Sequence, residues 1–179
     1  MHIARCLPTG PVVATVLTAL SATLPVAALA GDLAAPEGPV LLTVTGAIGA
    51  SNAPEGAVFD DAMLAALPQV SFTTTTIWTN DREVAFTGPT LASVLDAVGA
   101  TGDAVSARAI NDYVVEFDRD ELTEEAPIVA RMIDGEPFGI RENGPLWVVY
   151  PYDSGPEYQT ELVYARSIWQ LVELTVETR

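Results

Sequence analysis

The residues best suited to bind a small molecule lie between Ser71 and Gly88, in the stretch SFTTTTIWTNDREVAFTG. Its threonines favour a β-strand and bring hydroxyl groups with them, and the strand is predicted to end at Ile77 and Trp78, before a polar turn. The indole of Trp78 offers a large flat face on which a ring can stack. The pattern indicates the wall of a binding pocket, and a partly buried core tryptophan is the alternative.

Two further segments carry groups that suit recognition of a heterocycle. Asp112 follows a predicted strand, and its carboxylate can accept paired hydrogen bonds from an amino group and a ring N–H, or form an ordinary Asx turn. Tyr113 beside it can pack against a ligand or serve the next strand. Arg166 lies between Tyr164 and Trp169, where a guanidinium can bind a carbonyl oxygen, cover a ring or pair with an acid.

A third group of candidates surrounds predicted loops. Arg141 is predicted on a loop beside Glu142, which can neutralise it. Tyr150 and Tyr152 flank a loop rich in proline and glycine and can form the rim of a pocket. These residues complete the predicted ligand-binding set, which contains no catalytic residue and no metal ligand.

The first thirty residues have the pattern of a secretory signal peptide. Arg5 precedes an apolar run that ends in Ala-Leu-Ala at 28–30, and cleavage is expected between Ala30 and Gly31. The mature chain is therefore expected to be periplasmic or secreted, without stable membrane insertion. Residues 31–39 are predicted to be a flexible lead-in, and residues 40–179 a single domain.

The composition of the mature chain excludes much chemistry. Cys6 and His2, the only cysteine and histidine, leave with the signal peptide, and the chain has no lysine. No thiolate nucleophile, histidine-based triad, sulfur-bound metal or Schiff base is then possible. Seven arginines against 24 carboxylates give a net charge of −17, which argues against nucleic acid as a partner. The inventory favours binding over catalysis.

The predicted elements are many short strands and two clear helices. Asp60 and Thr90 are predicted to cap helices that follow them, Gly99 to end the second helix, and Asp134-Gly135 to form a tight turn. Strands are predicted over 40–48, 104–110, 114–117, 128–133, 146–150 and 170–177. The fold class is therefore α+β, a mixed β-sheet domain with a few short helices.

Several segments in this order resemble the molybdopterin-binding domain of the sulfite oxidase family. They are FTGPTLASVLDAVGA (86–100), INDYVVEFDRDEL (110–122), PIVARMIDGEPFG (127–139), GPLWVVYP (144–151) and WQLVELTV (169–176), so that the resemblance covers about residues 40–177. It implies the sulfite-oxidase-like α+β fold of that family. One alternative function is accordingly a molybdopterin-dependent oxidoreductase.

The departures from the family concern its metal site. The family binds molybdenum through a cysteine in the segment that corresponds to 71–80, where this chain has threonines, Ile77 and Trp78. The arginine of the family's "P-L-R" strand is Trp147 here, and Asn111-Asp112-Tyr113 departs from its "D-G-Y" turn. A hydroxyl does not replace a soft thiolate. The molybdenum cofactor is therefore not expected in this chain.

The pattern is similar to that of exported regulatory proteins of this fold that bind a free pterin. The resemblance lies in TTTTIWT (73–79) and YARSIWQL (164–171). It implies a free pterin, in its oxidised or reduced form, as ligand and the periplasmic domain of an inner-membrane cyclic-di-GMP enzyme as partner. A ligand-free interaction protein on the same fold is the second alternative.

Overall fold

The computed structural model describes residues 33–179, so the predicted signal peptide lies outside the described residues. The three α-helices of this part are Asp61–Ala66 (α1), Leu91–Ala97 (α2) and Glu161–Arg166 (α3). The strands are Leu42–Gly46 (β1), Ala57–Phe59 (β2), Gln69–Thr74 (β3), Val84–Pro89 (β4), Ala104–Ala109 (β5), Val114–Asp118 (β6), Ile128–Ala130 (β7), Met132–Ile133 (β8), Glu136–Pro137 (β9), Trp147–Val149 (β10) and Leu171–Glu177 (β11).

The largest sheet has five strands in the order β2-β1-β11-β5-β6. Strands β1 and β11 are parallel, and the other neighbours are antiparallel. The sheet therefore joins the beginning and the end of the domain, and its inward side chains, such as Val44, Val105 and Leu174, are buried. This mixed sheet, with short helices beside it, confirms the predicted α+β class.

Two smaller antiparallel sheets complete the domain. One has four strands in the order β3-β4-β8-β9, and the other pairs β10 with β7. These two sheets meet at Gly88 of β4, where a Cβ atom would lie only 2.0 Å from the carbonyl oxygen of Val129 in β7. Only glycine permits this close approach between β4 and β7. All three residues of β10 are buried, as its continuous apolar character predicts.

The predicted helix caps are confirmed. Asp60 accepts a hydrogen bond from the backbone N–H of Met63 at the start of α1, and Thr90 accepts one from Ser93 at the start of α2. Gly99, with φ +60°, follows the end of α2 in the left-handed conformation that suits glycine.

The structure corrects three expectations about local structure. The threonine strand ends at Thr74, before Ile77 and Trp78, which belong to a 3-10 turn. The strand predicted over 128–133 is two strands separated by Arg131. The segment from Tyr164 to Trp169 begins inside a third helix, α3, whose cap is Thr160.

The segment predicted as a lead-in makes contacts with the domain. The Asp60 carboxylate accepts hydrogen bonds from the backbone N–H groups of Glu37 and Gly38, both at 2.8 Å. Within residues 33–179, no helix is long and apolar enough to cross a membrane.

Candidate functional site

Trp78 lies in a cluster of aromatic rings that contains all three tryptophans of the chain. Its ring centroid is 5.8 Å from that of Trp147 and 5.7 Å from that of Trp169, and both pairs meet edge-on. Tyr164 contacts it edge-on at 6.0 Å, and Tyr152 lies tilted at 6.4 Å. Edge-to-face contacts suit the charge distribution of aromatic rings. Rings from four other segments therefore fix the Trp78 indole.

Trp78 is presented by the 3-10 turn Ile77–Thr79, and two threonines hold this turn. The Thr76 hydroxyl oxygen accepts hydrogen bonds from the backbone N–H groups of Trp78 and Thr79, both at 3.1 Å. The Thr79 hydroxyl donates to the Thr76 carbonyl oxygen at 3.0 Å. Both hydroxyls are thus committed to the turn.

The Asp153 carboxylate binds the other end of the threonine stretch. It accepts hydrogen bonds from the backbone N–H of Thr75 at 2.6 Å, from the Thr75 hydroxyl at 2.9 Å and from the Thr74 hydroxyl at 3.2 Å. These donors, the Thr75 N–H first among them, hold the pKa of Asp153 below its ordinary value. Threonines 74, 75 and 76 therefore serve the protein rather than a ligand.

A cavity of about 320 Å³ lies beside Trp78. This volume is at the lower end of the range for small-molecule sites, which begins at about 300 Å³. The walls come from the end of β5, the turn after it, the end of α3 and the segment before β11. The lining residues are Trp78, Ala109, Asn111, Tyr113, Tyr164, Ala165, Ser167, Ile168 and Trp169.

Several donors in this lining have no partner among residues 33–179. They are the indole N–H groups of Trp78 and Trp169 and the hydroxyl of Tyr164, none of which makes a hydrogen bond there. No buried side-chain nitrogen or oxygen in the described part of the chain lacks a partner, so these three groups remain accessible. The cavity is thus lined in part by three aromatic side chains whose polar groups make no hydrogen bond within residues 33–179.

Ser167, a buried residue of the cavity lining, is held by hydrogen bonds from two aromatic side chains. The Trp147 indole N–H donates to the Ser167 carbonyl oxygen at 3.1 Å, and the Tyr152 hydroxyl donates to its Oγ at 2.6 Å. Burial raises the pKa of Tyr152, so it stays neutral over the physiological range. These bonds to a lining residue favour a fixed shape of the cavity.

Two of the predicted ligand-binding residues, Trp78 and Tyr113, line this cavity together. The Tyr113 hydroxyl donates to the carbonyl oxygen of Ala165, which braces the turn against α3. Asp112, between two lining residues, is exposed and pairs with Arg108 at 3.3 Å. Ligand binding by Trp78, Tyr113 and Asp112 stays a prediction.

Arg166, Tyr150 and Tyr152 lie outside the cavity lining. The Arg166 guanidinium donates to the carbonyl oxygen of Glu116 at 2.8 Å, pairs with Glu121 at 2.5 Å and lies 5.5 Å from the ring centroid of Phe117. This arrangement matches structural pairing, the alternative left open by the sequence. Tyr150 and Tyr152 are buried rather than placed at a rim.

Arg141 lines a second cavity, of about 410 Å³. Trp78 is the one lining residue that the two cavities share, and Trp147 also lines the second. Trp78 and Tyr113 therefore line the first cavity, and Trp78 and Arg141 line the second.

Sequence reasoning missed several residues of the site. Tyr164 and Trp169 entered it only as neighbours of Arg166, and Asn111 and Ser167 did not enter as site residues. Asp153 was not identified either, because its partners lie nearly eighty positions earlier in the chain. The available signal was the density of aromatic residues in 147–169, which is unusual in a chain with 7% aromatic residues.

The donor groups of the site do not fit a molybdenum ion. Residues 71–80, where the sequence resemblance predicts the metal-binding segment, offer hydroxyls, and those of Thr74, Thr75, Thr76 and Thr79 are engaged in protein hydrogen bonds. Residues 33–179 contain no group of three histidine, cysteine, aspartate or glutamate side chains that could hold a metal ion. A soft thiolate ligand is missing from this segment, and nothing of similar chemistry replaces it.

Comparison with solved structures supports the fold. The sulfane dehydrogenase SoxCD from Paracoccus pantotrophus matches with a TM-score of 0.57 and 15% sequence identity, over 77% of this chain and 38% of that chain. The likeness confirms the predicted sulfite-oxidase-like α+β fold. The chain spans little more than a third of the length of that relative. No family model matches the chain, and no curated protein matches it in sequence.

Proposed function

We propose that this protein binds a free pterin, without molybdenum, in the cavity beside Trp78. The observation that carries the proposal is the construction of this cavity. Aromatic side chains and accessible donors line it, while the threonines of the neighbouring segment are committed to protein hydrogen bonds. A planar, uncharged heterocycle with acceptor atoms along its edge matches these walls.

The chemistry of the lining favours binding over catalysis. The lining residues include no carboxylate, arginine or histidine, and the Ser167 Oγ is held between Tyr152 and the carbonyl oxygen of Val163. A ring in the cavity would meet flat side chains and donors, but no activated nucleophile or proton acceptor. The sulfite-oxidase-like fold supports this ligand class because the family that it resembles binds a pterin.

The proposal includes a regulatory role in the periplasm. A ligand-responsive exported protein of this kind would contact the periplasmic domain of an inner-membrane cyclic-di-GMP enzyme. This part rests on the sequence resemblance to exported pterin-binding regulators and on the predicted signal peptide. The exposed side chains of Ile77 and Tyr113, 67% and 48% accessible, lie next to or within the cavity lining and offer apolar surface to such a partner.

One test, which also gives the stoichiometry, is a calorimetric titration of the purified mature protein with 7,8-dihydrobiopterin. The proposal expects saturable binding of one ligand per chain and no molybdenum in folded protein purified from its native host. Stoichiometric molybdenum would favour the oxidoreductase alternative. Folded, metal-free protein that binds no pterin would favour the ligand-free interaction protein.

The regulatory role has its own test in host cells. Cyclic-di-GMP is measured in cells that carry the wild-type gene, a deletion or Trp78→Phe. The proposal expects the deletion to change the cyclic-di-GMP level and the variant to reproduce part of that change. Equal levels in all three strains would contradict the regulatory role and leave pterin binding to be judged by the titration.

A further inference from the structure

Arg141 differs from the other arginines of the described part of the chain. Of the seven arginines in residues 33–179, it alone has no hydrogen bond, ion pair or contact with an aromatic ring there. The other six all pair with carboxylates; they are Arg82, Arg108, Arg119, Arg131, Arg166 and Arg179. Arg141 is exposed, so its guanidinium is hydrated and is free to bind an anionic group from solution.

Several hydrogen bonds hold the backbone of the turn that carries Arg141. The Gly144 N–H donates to the Gly139 carbonyl oxygen at 2.8 Å, and Gln170 donates its side-chain N–H to Ile140 and its backbone N–H to Asn143. The neighbouring Glu142 carboxylate accepts from the Gly139 N–H at 3.2 Å instead of pairing with Arg141. The guanidinium is thus presented from an ordered backbone, which lowers the cost of binding.

Other donors line the same cavity. Asn80 and Asn143 belong to the lining, and their side-chain amides make no hydrogen bond within residues 33–179. Arg82 also lines the cavity, but it pairs with Asp134 at 2.9 Å. Two carboxylates, Glu136 and Glu142, line it as well. Glu142 is engaged with Gly139, so Glu136 is the acid that competes with a ligand for Arg141.

We propose that Arg141, with the amides of Asn80 and Asn143, binds an anionic group on the side chain of the ligand. This inference rests on the proposed function, because the ring of that ligand lies in the first cavity beside Trp78. Trp78 lines both cavities, so they lie on either side of one side chain, and the inference requires a substituent that extends past this indole. A guanidinium binds carboxylate and phosphate in the same two-pronged geometry, and the test separates the two.

The experiment compares pterins that differ only in the side chain. One pair is 7,8-dihydroneopterin and its monophosphate, and the other is 6-hydroxymethylpterin and pterin-6-carboxylate. Dissociation constants are measured for wild type, Arg141→Gln and Arg179→Gln. Arg179 is the charge-matched control because it pairs with Glu116 and Asp118, away from both cavities.

Wild type is expected to bind at least one anionic member about tenfold more tightly than its neutral counterpart, as a charge-assisted contact predicts. Arg141→Gln should abolish that preference without changing the affinity for the neutral member, and Arg179→Gln should keep the preference. Glu136→Gln should strengthen binding of the anionic member a few-fold, since it removes the competing carboxylate.

Three outcomes would overturn the inference. In the first, wild type binds the neutral and anionic pterins equally well; this result contradicts the anion site but agrees with the proposed function. In the second, Arg141→Gln still prefers the anionic pterin; this result means that another group binds the anion. If no pterin binds at all, the proposed function fails, and the anion site stated here fails with it.

Discussion

The backbone N–H of Thr75 donates a 2.6 Å hydrogen bond to the Asp153 carboxylate, which also accepts from the Thr75 hydroxyl. This contact joins the end of β3 to the turn that follows β10. The next residue, Thr76, caps the turn that presents Trp78. The position of the indole therefore depends on an acid far away in the sequence.

Replacement of Asp153 by alanine should lower the free energy of unfolding by about 1–2 kcal/mol, because it leaves the Thr74 and Thr75 donors without their acceptor. Asp120→Ala removes the same charge from an exposed site that makes no hydrogen bond within residues 33–179, so it serves as the control. Urea denaturation of the two variants and wild type measures the difference. Equal stability of the two variants would contradict the anchoring role.

The contribution of Asp153 should also depend on pH. Its folded pKa is lowered, so its stabilising effect is present above the unfolded pKa of about 3.9 and is lost as the pH falls through the folded value. The stability difference between wild type and Asp153→Ala should therefore persist at pH 7 and shrink below about pH 4.

Arg166→Gln should destabilise the protein without weakening ligand binding. The side chain is only 15% exposed, and its loss would leave the Glu116 carbonyl oxygen and Glu121 without a donor. We expect a cost of about 1–2 kcal/mol, against less than about 0.5 kcal/mol for the exposed Arg179→Gln. Thermal melts and pterin titrations check both parts. A large loss of affinity with unchanged stability would place Arg166 at the ligand instead.

Tyr152→Phe should change the alkaline limit of stability. Burial raises the folded pKa of Tyr152, so wild type loses stability once the pH exceeds the unfolded value of about 10 and the unfolded chain releases this proton. The variant lacks that loss but forgoes about 1 kcal/mol at neutral pH from the bond to Ser167. Denaturation at pH 8 and pH 10.5 should show the two stabilities converging. A constant difference would contradict burial of this hydroxyl.

Local signals in the sequence predicted local structure well. The caps Asp60 and Thr90 and the turn at Asp134-Gly135 each depend on residues within a few positions, and all three are confirmed. The third helix was missed because Thr160 lacks a glutamate or glutamine three residues later, and its apolar residues run into the next strand.

The site was predicted only in part because it is assembled from distant segments. Trp78 and Tyr113, which the sequence predicts for one site, do line one cavity. The contacts of Trp78 with Tyr164 and Trp169 depend on how α3 and the segment after it pack, which local sequence does not predict. Arg166 and Arg141 have equal charge in the sequence, and only the fold shows that the first is paired and the second is not. Composition predicts which groups exist, and tertiary packing decides which remain accessible.

The most direct test of pterin binding uses tryptophan fluorescence, because all three tryptophans belong to the cluster around Trp78. Titration of wild type with 7,8-dihydrobiopterin should quench this emission saturably, and Trp78→Phe should weaken the affinity about tenfold while the protein stays folded. Arg179→Gln, which changes an exposed side chain outside both cavities, is the control and should retain the affinity. Absence of saturable quenching in wild type at ligand concentrations up to about 1 mM, corresponding to a binding free energy weaker than about −4 kcal/mol, would contradict the proposal.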